Sequence, residues 1–246
     1  SALEKGVIKA DFGLFYCEAC GIETIYTRCH KCDAKSIKKF YCRECGMIDE
    51  KCDHRCYPYK SMEINVREYF DVALNRLGFR NYPELIKGIR GTSNKEHLPE
   101  PLAKGILRAM HNITVNKDGT TRFDMTEMSL THFKPKEIRA PIEKLKALGY
   151  LKDIYGNDLV NDEQVLELKA QDIVLPACGD SPEEGADAIL KRVSNFLDDL
   201  LVKFYGVEPF YNVKNQEDLI GHLVIGLSPH TCAGIIGRIV GFSNQQ

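Results

Sequence analysis

The sequence predicts an α+β chain: a cysteine-rich N-terminal module followed by a mixed helix and strand region. Three observations carry that prediction. Eight of the ten cysteines fall between Cys17 and Cys56, as four close pairs. An apolar period of 3.6 residues starts after Asn65 and returns, more strongly, over residues 189–204. Between these helical stretches, turn residues flanked by β-branched and aromatic ones mark hairpins. The natural division is residues 1–60, the cysteine module, and residues 61–246, the remainder.

The cysteine run reads Cys17-Glu-Ala-Cys20-Gly, Cys29-His-Lys-Cys32, Cys42-Arg-Glu-Cys45-Gly and Cys52-Asp-His-Arg-Cys56. This is the ligand count of two tetrahedral zinc sites with four cysteines each. Two thiolates two residues apart, followed by Gly, let the backbone wrap one ion with both sulfurs aimed at it. A disulfide framework would need an oxidising compartment, and no charged segment followed by an apolar one opens the chain. Spacing leaves sequential and interleaved ligand groupings open, with the short gaps favouring the sequential one. His54 can replace Cys52 or Cys56, because three residues separate that last pair, whereas His30 reads as a solvated bystander. Residues 22–27 and 36–41 suit zinc-ribbon strands. Residues 1–60 hold 11 Lys/Arg and 9 Asp/Glu. Eight thiolates around two Zn²⁺ bring the loaded module to a net charge of about −2. That charge suits a structural clamp better than a general phosphate binder, leaving Lys38, Lys39 and Arg43 for local contacts.

Beyond the module, Asn65 as N-cap and Glu68 at the third helical position start a helix that Gly78 stops. Residues 88–101 lack any period and read as a loop. Asp118-Gly119 centres a type I′ hairpin over residues 113–125, and residues 155–158 form a second turn. A short helix over residues 141–148 ends at Gly149. Ser181 as N-cap, Pro182 at the first position and Glu184 at the third open the best-specified helix, which ends before Gly206. Ile189, Leu190, Val193, Phe196, Leu197, Leu200, Leu201 and Phe204 give it a continuous apolar stripe, the pattern of a core or partner-facing surface. The run over residues 226–242 mixes glycines with β-branched residues, and suits a buried strand as well as a helix.

Composition excludes several function classes. No apolar stretch reaches the ~18 residues of a membrane-spanning helix. The net charge of −2 gives no global nucleic-acid signature. The chain has no Gly-rich phosphate loop, nucleophile elbow or His-Glu-x-x-His motif, and Asp11-Phe12-Gly13 mimics a kinase triplet without other kinase parts. Lys104 and Arg108, four residues apart, share one helix face. Lys134, Lys136 and Arg139 form a second basic patch beside an aromatic. His230 and Arg238 are the polar exceptions within the glycine-rich run. Each of these is a candidate phosphate contact weighed against a plain solvated face, or against a satisfied core histidine.

Several of these stretches also carry a resemblance. They are Glu100-Pro-Leu-Ala-Lys-Gly-Ile-Leu-Arg-Ala-Met-His111, Lys117-Asp-Gly-Thr-Thr-Arg-Phe-Asp124, Thr131-His-Phe-Lys-Pro-Lys-Glu-Ile138, residues 193–205 and the long run 218–242. With the cysteine module they resemble the large, catalytic subunit of the archaeal family D DNA polymerase, over residues ~10–242. The resemblance implies a two-double-psi β-barrel polymerase core decorated with zinc modules, to which residues 61–246 contribute. It also implies a small exonuclease subunit and a sliding clamp as partners, an archaeal cytosolic location, and Mg²⁺-dependent addition of deoxynucleotides to a primer end.

The same resemblance places an acidic Asn-Cys-Asp-Gly-Asp-like run after Phe242 and a basic Arg-Pro-Glu-Lys-like motif upstream; neither is in this chain. Phosphoryl transfer by metal ions needs positioned carboxylates. The expectation is therefore a segment of the large subunit that builds part of the primer–template cleft, holds no catalytic residue of its own and is inactive alone. Two rivals remain: a non-enzymatic zinc-ribbon adaptor in a nucleic-acid-processing complex, using the 189–204 stripe, and a zinc-thiolate redox enzyme.

Overall fold

The structure, a computed structural model, describes residues 2–88, 96–116, 119–125, 127–177, 184–227 and 233–244. The chain forms two compact units. One comprises Ser1–Arg122 and Asp199–Glu208, the other Phe123–Asp198 and Pro209–Gln246.

The first unit opens with a turn of helix, α1 (Ala2–Lys5), and a long strand, β1 (Val7–Gly13). Two small three-stranded sheets follow. β2 (Phe15–Cys17) lies between β3 (Ile22–Thr24) and β4 (Ile37–Lys38), and β5 (Phe40–Cys42) between β6 (Gly46–Ile48) and β7 (Cys56–Tyr57). β8 (Tyr59–Asn65) then returns antiparallel along β1, Val7 opposite Asn65 and Gly13 opposite Tyr59, and so closes both ends of the cysteine module. The expected strand at 22–27 is present but shorter, as β3, and the one at 36–41 is divided at Lys39 between β4 and β5, which belong to different sheets.

α2 (Val66–Leu77) begins and ends as the residues dictate. The Asn65 side chain accepts from the N–H groups of Arg67 and Glu68, and Gly78 takes a left-handed conformation. Phe70, Ala73, Leu74 and Leu77 form its buried face. α3 (Leu102–Met110) packs on α2 and buries Ile106 and Leu107. A π-helical turn, Leu200–Tyr205, completes this unit: Arg76 donates to the Phe204 carbonyl at 2.9 Å and lies over its ring. The expected hairpin at 113–125 does not form strands among its described residues, and Asp118 lies outside them. Hydrogen bonds between Asn116 and Thr120 close a turn there, and the Thr121 hydroxyl donates to the Thr114 carbonyl at 3.1 Å, but the described residues on either side form no strand ladder. Residues 96–101 are loop, as expected, and 89–95 lie outside the described set.

The second unit is organised by β13 (Gly234–Ser243), flanked by a parallel strand, β11 (Asp172–Pro176), and an antiparallel one, β12 (Leu223–Leu227). The glycine-rich run is thus strand rather than helix. Its second half is buried; β12 and the start of β13 are not, with Ile225 and Ile235 both well exposed. One apolar cluster gathers Phe133, Ile138, Leu145, Leu159, Leu166, Val174 and Val240, and a second gathers Ile173, Leu175, Val213, Leu219, Ile239 and Phe242. Gly241 lets β13 approach the 3-10 turn Pro135–Ile138: a Cβ there would sit 2.6 Å from the Ile138 carbonyl oxygen. α4 (Ile142–Ala147) and the turn around Gly156 form where expected, with Gly156 N–H donating to Asp153 at 3.0 Å.

α5 (Ala186–Asp199) starts later than its sequence signals. Ser181 and Pro182 lie outside the described residues, and Glu184 precedes the helix instead of sitting at its third position. Glu184 reaches forward to Arg192, which donates to it at 2.8 Å. The stripe on α5 is half-buried instead of sealed: Ala186, Ser194 and Phe196 are the buried residues of the helix, and of these only Phe196 belongs to the stripe.

Candidate metal centres and basic residues

The first cysteine cluster brings Cys17, Cys20, Cys29 and Cys32 together, their sulfurs all within 4.8 Å of one another. Grouping is sequential. β2 delivers Cys17, and the turn after it closes through the Gly21 N–H bond to the Cys17 carbonyl at 2.8 Å. The second turn closes the same way through Asp33, which bonds back to Cys29 at 2.9 Å with a left-handed φ of 60°. Sulfur separations of 3.5 Å (Cys17–Cys32) and 4.0 Å (Cys20–Cys29) bracket the edge of a zinc–thiolate tetrahedron, about 3.8 Å for ~2.3 Å bonds. Cys17 and Cys29 are fully buried. None of the eight cysteines is in a disulfide.

Crowding the thiols drives their acidities apart. Hydrogen bonding with Cys32 pushes Cys20 up to about 12, while the Ala34 N–H draws Cys32 down to about 7. Four adjacent thiolates cannot coexist without a cation, and a divalent ion removes that conflict. His30 is not the solvated bystander its position suggested. Its side chain is 7% exposed, stacked on Tyr69 at 4.0 Å and 3.1 Å from the Thr24 hydroxyl. Burial lowers its pKa, so it packs as a neutral ring behind the cluster. Sequence spacing did not reveal this, since Tyr69 lies on a helix nearly forty residues away.

The second cluster groups Cys42, Cys45, Cys52 and His54 within 4.8 Å. Cys45 and Cys52 sulfurs are 3.8 Å apart. Gly46, at φ +78°, turns the chain after Cys45 as Gly21 does after Cys20. Cys56, the expected fourth ligand, sits 3.2 Å from the Cys52 sulfur. Hydrogen bonding from Cys56 holds Cys52 down to about 6. Both clusters therefore suit a soft divalent ion such as zinc, by donor type and by spacing.

The basic candidates divide by what they touch. Arg108 is 7% exposed and donates to the Glu100 carboxylate, Nη1 to Oε2 at 3.3 Å. Arg238 holds Asp172 in a bidentate pair at 2.7 and 2.8 Å, and the Tyr150 hydroxyl donates to the same buried carboxylate at 2.6 Å. Both arginines are thus engaged in the fold. Lys104 donates to the Tyr205 hydroxyl at 2.6 Å and lies over the Phe204 and Tyr205 rings. It lines a cavity of about 420 Å³ together with Tyr26, Tyr69 and Arg76. Lys134 and Lys136 share Glu163, and Arg139 is exposed at a left-handed φ of 51°. Lys136 and Arg139 line an open groove that also holds Glu143, Asp162 and Glu217. His230 lies outside the described residues. Among the described residues, no helix is long and apolar enough to cross a membrane.

Comparison with known proteins fixes the context. The chain is 46% identical over 246 residues to the DNA polymerase II large subunit of Archaeoglobus fulgidus, covering 98% of this chain and 21% of that protein. The corresponding protein of Nanoarchaeum equitans is 39% identical over 285 aligned residues, covering 100% and 23%. That of Methanoculleus marisnigri is 43% identical over 249, covering 99% and 19%. The chain therefore spans about a fifth of the length of these relatives. Residues 78–246 match the family model described as "DNA polymerase II large subunit DP2, catalytic domain", and the chain belongs to that family.

Proposed function

We propose that this chain is a segment of the large subunit of a replicative DNA-directed DNA polymerase and forms part of its primer–template cleft. The observation that carries the proposal is its membership, along nearly its whole length, in a family of polymerase large subunits. In this reading residues 1–60 are a double zinc-ribbon module, and residues 61–246 are part of the core that includes a double-psi β-barrel. Two structural zinc ions, held by cysteines of the Cys17–Cys56 run, fix the short sheets of the module; zinc supplies folding energy there, not chemistry. The complete polymerase would use Mg²⁺ and work with the rest of the large subunit, a small exonuclease subunit and a sliding clamp, in the archaeal cytosol.

This chain's own residues would position DNA instead of transforming it. Lys104, Lys134, Lys136 and Arg139 are the better phosphate contacts: Lys136 and Arg139 are exposed, Lys104 and Lys134 are half-buried, and the partners of the three lysines are shared or aromatic. Arg108 and Arg238 would act indirectly, by holding α3 and β13 in place, and His230 remains a candidate by sequence alone. Among the described residues the only clusters fit for a metal ion are the two cysteine-rich ones. In this reading nucleotide incorporation belongs to the larger protein.

The test is binding of a primer–template duplex by the purified chain across a salt series. Phosphate contacts give a falling log–log plot whose slope is about −0.9 per neutralised phosphate. Replacing both Lys134 and Lys136 with Gln should flatten it by roughly two such contacts. A salt-independent signal, or no binding at any salt, would count against the cleft reading and favour the adaptor.

A further inference from the structure

The two metal centres differ in a way that assigns a ligand. We propose that the second centre takes its fourth ligand from Nδ1 of His54, leaving the Cys56 thiol uncoordinated beside it. The proposal rests on reading the two clusters as zinc sites and concerns only which atoms complete the second.

Tetrahedral geometry decides between the two donors. With Zn–S bonds of about 2.3 Å and Zn–N bonds of about 2.05 Å, sulfur and nitrogen on one ion stand about 3.6 Å apart, and two sulfurs about 3.8 Å apart. His54 Nδ1 lies 3.5 Å from the Cys45 sulfur and 3.7 Å from the Cys52 sulfur, and those two sulfurs are 3.8 Å from each other. All three edges fit one ion. The Cys56 sulfur is 3.2 Å from Cys52, well inside the distance two thiolates on one zinc can keep. Cys56 also has other uses for its proton: its thiol lies 3.3 Å from the His54 carbonyl.

The far side of the ring supports the assignment. His54 Nε2 is 2.8 Å from the Glu44 carboxylate, which places Nε2 as the donor and Nδ1 as the free lone pair facing the sulfurs. A metal-bound histidine held from behind by a carboxylate is the usual outer arrangement of such sites. Sequence spacing agrees. Cys52 and Cys56 are separated by three residues and so cannot form the tight two-residue turn that Cys29 and Cys32 make. The main-chain ladder pairs Cys56 with Cys42 on adjacent strands, which keeps it beside the site. Cys56 remains close enough to enter the site if His54 is removed.

The test uses the whole 246-residue chain loaded with zinc. Elemental analysis comes first: fewer than two ions per chain would overturn the two-centre reading itself. With two ions bound, X-ray absorption at the zinc edge should count seven sulfurs and one imidazole nitrogen over both sites. Alkylation with iodoacetamide, mapped peptide by peptide, should label Cys56 at least tenfold faster than Cys42, Cys45 or Cys52. Cys56→Ser should keep both ions, and His54→Ala should protect Cys56 from alkylation as its sulfur takes the vacated position. Eight sulfurs with no nitrogen, a protected Cys56 in the native chain, or loss of one ion in Cys56→Ser would each overturn the ligand assignment while leaving two zinc centres intact.

Discussion

The two units of this chain solve the same stability problem with different means. In the first, residues 15–57 form six strands of two or three residues each, far too short to bury a core. What can close them is donor chemistry: one cluster of four sulfurs and one of three sulfurs and an imidazole, at zinc-like separations. In the second unit no such cluster occurs among the described residues, and a ten-residue strand, β13, carries two apolar clusters on its flanks. A small sheet can be held by a few strong directional bonds, whereas a larger one can be held by many weak contacts. The difference predicts separable responses to perturbation.

Metal removal should have the largest effect. A strong chelator should unfold the 15–57 region, with a loss on the order of 10 kcal/mol per ion. Amide signals from the second unit should stay dispersed in the same sample. Simultaneous collapse of both would erase the contrast between the units.

Asp172→Ala should do the converse. It removes a carboxylate that is 2% exposed and strands the Arg238 guanidinium and the Tyr150 hydroxyl. Because Arg238 is partly solvated, the loss should be about 3 kcal/mol, at the lower end for a broken buried pair. Denaturant titration followed in the second unit measures it, with zinc content per chain unchanged as the control.

Acid should act most weakly. The N–H groups of Asn215 and Lys214 hold the Asp218 carboxylate below the usual range. A depressed folded pKa means stabilisation that is present above the unfolded value, near 4, and is lost as pH falls through the lower folded value. Asp218→Asn should therefore flatten the acid limb of the second unit's stability curve. An unchanged limb would show that these hydrogen bonds contribute nothing that solvent does not.

Legibility followed the range of the interaction. The Asn65 cap, the Gly78 stop, the turn at Gly156 and the clustering of Cys17, Cys20, Cys29 and Cys32 all depend on residues a few positions apart, and the sequence displays them. Arg238 looked like a candidate for DNA because its partner, Asp172, lies 66 residues away on a neighbouring strand. His30 looked solvated because Tyr69 arrives from α2. The expected hairpin over 113–125 is the opposite case: the local turn signal is met by the Asn116–Thr120 bonds, but no strand ladder extends from it among the described residues.

The sequence by itself determined that this chain carries two cysteine-rich clusters fit for a metal ion ahead of an α+β segment, because ligand type and short spacing are written residue by residue. Only the tertiary structure decided which charges are spent on the fold, that β13 lies between a parallel and an antiparallel partner, and that the His54 imidazole gathers with Cys42, Cys45 and Cys52. Those outcomes depend on distances between residues far apart in the chain, and such distances exist only after the backbone has folded.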